Sequence, residues 1–147
     1  MKPFRFRLET LLNFRKIQKE EAQIAFLQAS NELRTEKEKL ADFKARLVEN
    51  IILLQELQQQ ALSIEMFKSF QYYFDKINID IIQQSQVILK KEEHCRLCLQ
   101  ALAEAERNYK IVEKFREKKI AHYHFEAMAE EQKILDEIGL QIYTREK

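Results

Sequence analysis

The chain has 147 residues, of which 46% are apolar and 33% charged, with one glycine, one proline and two cysteines. This mixture is too apolar for a disordered chain and too charged for a membrane span, and the stretch between Pro3 and Gly139, free of both breakers, excludes the frequent turns of an α/β or all-β domain. Lys and Arg number 25 against 24 Asp and Glu, interspersed to a net charge of +1; without the one-signed stripe that displaces counterions, nucleic acid is not the expected ligand.

The opening MKPFRFR is basic, but Leu8, Glu9 and Thr10 follow it and then Lys16, Lys19 and Glu20, so no secretory apolar core forms and a cytoplasmic protein is expected. The basic bias of residues 2–7 fits either a solvated terminus or a contact with a membrane surface or an acidic partner.

A first helix is expected over about residues 5–60. From Ala22 onward Phe26, Leu33, Leu40, Leu47 and Leu54 stand seven apart, and Ala22, Ala29, Phe43 and Leu57 supply the second position of a heptad seam. Glu36 and Asn50 interrupt that seam. Extended backward, the frame takes in Leu8 and Leu12 and then meets Arg15 and Lys19.

The frame is lost between about residues 58 and 69, as expected where a chain turns back on itself. Ser63 is the expected N-cap of a second helix, with Glu65 in its first turn and Leu62 and Phe67 at staple spacing. A turn at about 60–63 makes an antiparallel hairpin, in which positions face each other when their numbers add to roughly 124, so that Leu12 lies near Val112 and Phe26 near Cys98.

The second helix is expected over about 64–138. Its seam is Phe74, Ile81, Ile88, Cys95, Leu102 and Tyr109, with Phe70, Ile77, Cys98, Ala105 and Val112 beside it and Gln84 and Lys91 as polar breaks. After Tyr109 an eleven-residue step leads to Ile120, Ala127 and Ile134, which locally unwinds a supercoil. Gly139 suits the residue just past a helix end, leaving 139–147 as a tail. The expected fold is all-α: a single domain, an antiparallel two-helix coiled-coil hairpin with a longer second helix. An antiparallel dimer of extended chains would show the same seam.

A fold so poor in loops offers few places for converging catalytic groups or a pocket, so no enzyme and no cofactor is expected. Cys95 and Cys98 form one Cys-x-x-Cys with His94 beside it, too few ligands for a structural zinc site, and His94 is expected to point away from them. Packing in the seam is the reading for both cysteines. His122 and His124 diverge on a helix and cannot share a metal. Glu92 with Arg96 and Glu106 with Lys110 are expected as helix-supporting ion pairs.

Two surfaces are candidates for partners. Beside the turn, Phe67, Phe70, Tyr72, Tyr73 and Phe74 cannot all face one helix, so the surplus either wraps the turn or forms a contact patch, with Tyr73, Ile77 and Asp80 as a ridge. On the first helix, Phe14, Ile17, Ile24 and Leu27 lie opposite the seam, where another copy, the overhang of the second helix or a larger protein could cover them.

The opening FRFRLETLLNFRK (residues 4–16), its continuation EEAQ (20–23) and the closing QKILDEI (132–138) resemble the flagellar export protein FliJ family, with Phe6, Leu8, Leu11, Leu12 and Arg15 carrying most of the likeness. The resemblance implies a two-helix coiled coil similar to the central stalk of rotary ATP synthases. Its open end, here Phe6, Leu8, Leu11, Phe14, Arg15, Ile17, Ile24, Ile134 and Ile138, inserts into the hexameric export ATPase FliI. A patch beside the turn, here Phe67, Phe70, Tyr73 and Ile77, contacts the export gate protein FlhA, with tyrosine where the family has phenylalanine. Export chaperones are further implied partners, as is a peripheral place at the inner membrane when assembled. A generic coiled-coil scaffold that self-associates is the alternative, and a nucleic-acid-binding helical arm the remote one.

Overall fold

A computed structural model describes residues 2–146. Met1 and Lys147, the outer ends of the expected basic opening and tail, lie outside the described residues. Two helices form, α1 over Glu9–Gln58 and α2 over Ile64–Glu146, with no strand among the described residues. They pack as an all-α antiparallel hairpin whose second helix, at 83 residues against 50, is the longer.

α1 starts at Glu9, later than the expected residue 5. The segment before Glu9 is held outside the helix by ring contacts: Phe4 lies 5.6 Å from Tyr123 and Phe6 5.9 Å from Phe115. Glu9 N then donates to Phe6 O at 3.2 Å and Leu12 N to Leu8 O at 2.8 Å, opening the helix. At the turn, Gln60 N donates to Leu57 O at 3.1 Å. Ser63 caps α2 as expected, its Oγ accepting from Met66 N at 3.2 Å.

The expected stop at Gly139 is absent. α2 runs through it to Glu146, and Gly139 has no positive φ. A glycine inside a helix costs only about 1 kcal/mol relative to alanine, which does not end a helix that no proline follows.

The chain divides into two compact units, one of Met1–Glu21 with Ala103–Lys147 and one of Ala22–Leu102. In the second, the expected seam is the buried one: Ala29, Ile77 and Ile88 are buried and Phe26, Leu33, Leu40, Leu47, Leu54, Phe74, Ile81 and Cys95 half-buried. Its polar breaks find partners. Gln84 Nε2 donates both to the Glu36 carbonyl at 2.9 Å and to the Glu36 carboxylate at 2.5 Å. Lys91 Nζ donates to Glu32 at 3.0 Å, and Ser30 Oγ lies 3.6 Å from Cys95 Sγ. All three contacts match the expected antiparallel pairing to within a few residues.

In the first unit Leu12 and Val112 are buried, as the pairing predicts. Where the frame meets Lys19, the ammonium sits 4.5 Å from the Tyr109 ring centre, so a cation–π contact fills the seam instead of an aliphatic one. Ile120 and Ala127 are half-buried after the eleven-residue step, but Ile134 is exposed, as is every described residue of α2 after Ala127.

The side-chain hydrogen bond from Gln84 holds the Glu36 carboxyl below its ordinary 4.5; desolvation opposes this, and Lys39 and Lys91 add to the lowering. A carboxyl with a lower pKa folded than unfolded contributes stability that is present above the unfolded value and is lost as pH falls through the folded one. Melting temperature should therefore decline on acidification below about pH 4.5, and Glu36→Gln should flatten that decline at this position. Parallel melting curves of the two proteins across the acid range would contradict it.

Two expectations of local pairing change. Arg96 forks onto Glu93, one turn back, in place of Glu92, since a guanidinium engages one carboxylate with two parallel bonds. Glu92 reaches instead toward Lys37 on α1, at 4.0 Å. His94 does not point away from the cysteines: its Nε2 lies 3.7 Å from Cys98 Sγ, because residues one turn apart share a helix face.

Candidate interaction surfaces

The aromatic group beside the turn separates into a part that packs and a part that does not. Phe70 and Phe74 are half-buried on the seam with rings 6.2 Å apart, and Tyr73 meets Phe74 edge-on at 6.3 Å. Ile77, expected in the contact patch, is only 4% exposed. It forms the floor of a small hollow lined by Phe43, Arg46, Tyr73, Lys76 and Asp80. The ridge and the seam competed for Ile77, and burial against α1 wins. An alanine at this position is therefore expected to lower stability by about 2 kcal/mol or more, read as an earlier thermal melt, rather than to act as a clean surface change.

The surface beside the turn consists instead of Ile64, Met66, Phe67 and Tyr72, with Tyr72 74% exposed. Ser63 orients this face by starting α2 there, so that the first three turns carry these four exposed apolar groups. Tyr72 and Phe67 are the aromatic side chains of this face, and aromatic residues are the type that most often anchors a contact.

In the unit containing both termini, Phe14 and Ile17 are each 53% exposed. They stand three residues apart on α1, on the side away from buried Leu12. The Arg15 guanidinium bonds Gln18 at 3.1 Å and approaches the Phe14 ring at 6.0 Å, which positions it next to them. Leu11 is half-buried, Leu8 partly exposed, and Ile134 and Ile138 are exposed on α2. In the other unit Ile24 and Leu27 are exposed on α1, again as expected.

Phe6 and Leu8 were expected in this surface, but the docking of the N-terminal segment onto α2 was not. Besides the Phe4 and Phe6 ring contacts, Tyr123 Oη donates to the Lys2 carbonyl at 2.8 Å and Arg116 Nε to Glu9 at 3.0 Å. Phe6 is thereby committed to Phe115. The signal was present as the pairs Phe4/Phe6 and Phe115/Tyr123, but nothing in heptad spacing links residues so far apart in the chain.

Titration offers little chemistry. The Tyr109 hydroxyl is raised by its hydrogen bond to Glu113 and by desolvation, and Glu93 and Arg96 shift in the directions that favour their ion pair. No group of three or more metal-binding side chains lies together among the described residues. His122 pairs with Glu126 at 2.8 Å, apart from His124, whose ring packs on Tyr123. No helix of the described residues is long and apolar enough to cross a membrane.

A family model described as Flagellar FliJ protein matches residues 4–147. Among solved structures, the chain is similar to CT670 of Chlamydia trachomatis, described as a YscO homolog, with 21% identity over 97% of this chain and 96% of that one and a TM-score of 0.43. No curated protein matches.

Proposed function

The chain belongs to the flagellar FliJ protein family and is a component of the flagellar protein export machinery; from this we propose that it couples the hexameric export ATPase FliI to the export gate protein FlhA. It adds no chemistry of its own in this reading. The ring hydrolyses ATP, and the chain supplies contacts whose strength differs between ring states, the only way a bound partner can bias an equilibrium.

The observation that carries the reading is the pair of exposed apolar surfaces that the seam leaves unused. Phe14, Ile17, Ile134 and Ile138, together with Arg15, serve the ATPase. Phe67 and Tyr72, with half-buried Tyr73 and Phe70 behind them, serve the gate. Ile24, exposed on α1 within the other unit, is a further ATPase contact in this reading. Export chaperones are further partners of the same family role, carried on a cytoplasmic protein that gathers at the inner membrane with the rest of the apparatus.

Steady-state ATP hydrolysis by the export ATPase, with and without this chain, tests the proposal. Stimulation that saturates at about one chain per hexamer supports it; no stimulation and no co-elution would leave a self-associating coiled-coil scaffold as the better account. At the other surface, Phe67→Ala with Tyr72→Ala should weaken binding to the gate by about tenfold or more, since aromatic anchors commonly carry 1–2 kcal/mol each. Helicity should stay unchanged, because both side chains are exposed. Undiminished gate binding by this double variant would move the contact elsewhere.

A further inference from the structure

The fold brings together two basic segments that lie far apart in the sequence. Residues 2–8 contribute Lys2, Arg5 and Arg7 without an acidic side chain, and residues 114–119 contribute Lys114, Arg116, Lys118 and Lys119 against Glu117 alone. Ring contacts and the Tyr123 to Lys2 hydrogen bond fasten the first segment onto the second. Of these cations Arg116 is neutralised by Glu9, and Lys119 lies 5.3 Å from the Phe115 ring centre. In a chain of net charge +1, gathering like charges in one place costs energy that an anionic ligand would offset.

The apolar groups of this patch are as informative as the charges. Ile111, 62% exposed, and Phe115 stand one turn apart on α2 beside Leu8, forming a shallow trough edged by Lys114 and Lys118. A second hollow, continuous through Leu8 and Phe115, is edged by Arg5, Arg7 and Lys119. Every side chain lining the two hollows is either apolar or a cation. Neutral hydrogen-bonding side chains, which would read a peptide backbone or the edges of bases, do not line them.

We infer that this basic, aromatic patch binds the surface of an anionic phospholipid bilayer. Leu8, Ile111 and Phe115 enter the boundary between headgroups and acyl chains, while Arg5, Arg7, Lys114 and Lys118 stay at the phosphates. The contact is peripheral and reversible, resting on a few apolar side chains and a handful of charges. It is independent of the ATPase reading and gives the free chain a place to wait at the membrane.

The test is co-flotation of the full-length protein with phosphatidylcholine vesicles made with and without phosphatidylglycerol. Binding is expected only with phosphatidylglycerol and should fall as salt rises. Lys114→Glu with Lys118→Glu should weaken it at least about tenfold, and Ile111→Asn about threefold, whereas Lys133→Glu, also on α2 but outside the patch, should leave it unchanged. Circular dichroism of each variant separates lost binding from lost fold. Equal flotation with uncharged vesicles, no flotation at all, or full binding by the Lys114/Lys118 variant would overturn the inference. So would release from vesicles by polyglutamate as effective as by salt-matched excess phosphatidylglycerol, which would assign the patch to an acidic protein partner.

Discussion

Replacing Ile88 by aspartate is expected to destabilise the hairpin by about 3 kcal/mol or more, lowering the thermal midpoint by on the order of 10 °C. The reason is the thinness of the core. A two-helix seam encloses each apolar side chain only by the facing row and its own neighbours, so there is no second layer into which a charge could turn. Ile88 is among the few buried residues and stands one turn from Gln84, whose amide is already engaged with Glu36. A carboxylate there must either drag water into the seam or compete with Glu36 for that amide. Leu89→Asp is the control: one residue on, Leu89 is 65% exposed and its replacement should shift the melt by only a few tenths of a kcal/mol. If the two variants melt alike, Ile88 does not belong to the seam.

Phe14→Asp with Ile17→Asp should abolish stimulation of the export ATPase, by about tenfold or more, while the isolated protein melts within a few degrees of the parent. Both side chains face water in the free chain, so their loss removes no internal packing. Their contribution would arise on binding, when the ring buries them, and the two carboxylates in their place would have to be desolvated, a cost that the neighbouring Arg15 offsets only in part. Two anchors at 1–2 kcal/mol each suffice for the stated loss. Measuring hydrolysis across a concentration series distinguishes weakened binding, which excess protein rescues, from a defect in coupling, which it does not. Unchanged stimulation by this variant would place the ring contact on another face.

The seam was legible because it repeats. Phe26 to Leu54 and Phe74 to Tyr109 each hold one spacing over several heptads, and burial follows those positions closely, including the way Glu36 and Gln84 interrupt both rows at matching heights. Exposure of Phe14, Ile17, Ile24 and Leu27 was legible for the same reason, as the complement of the seam. Contacts that depend on tertiary reach were not. Phe6 on Phe115 joins residues more than a hundred positions apart, and Lys19 on Tyr109 replaces an expected aliphatic layer with a ring and a cation. Ile77 belonged to two patterns at once, and only the packing of α1 decides between them. At Gly139 a local preference for helix termination was outweighed by the helix-forming residues around it. His94 turned on a rotamer, which spacing alone does not specify.

The bond from Gln84 to Glu36 has a mechanical meaning for Ala22–Leu102. Sliding α1 along α2 by one heptad toward the turn or away from it would set Gln84 against the level of Phe43 or Ala29, neither of which has a side-chain oxygen to replace the Glu36 carboxylate, leaving at most a backbone carbonyl to accept from the amide. Intermediate displacements would place seam side chains against ridges rather than holes. Shear between the helices is thus resisted in discrete steps of about 10 Å, seven residues at 1.5 Å each, with one step favoured over its neighbours. A force applied along α1 is passed to α2 as through a toothed rack, without slippage, until it is large enough to strip a tooth.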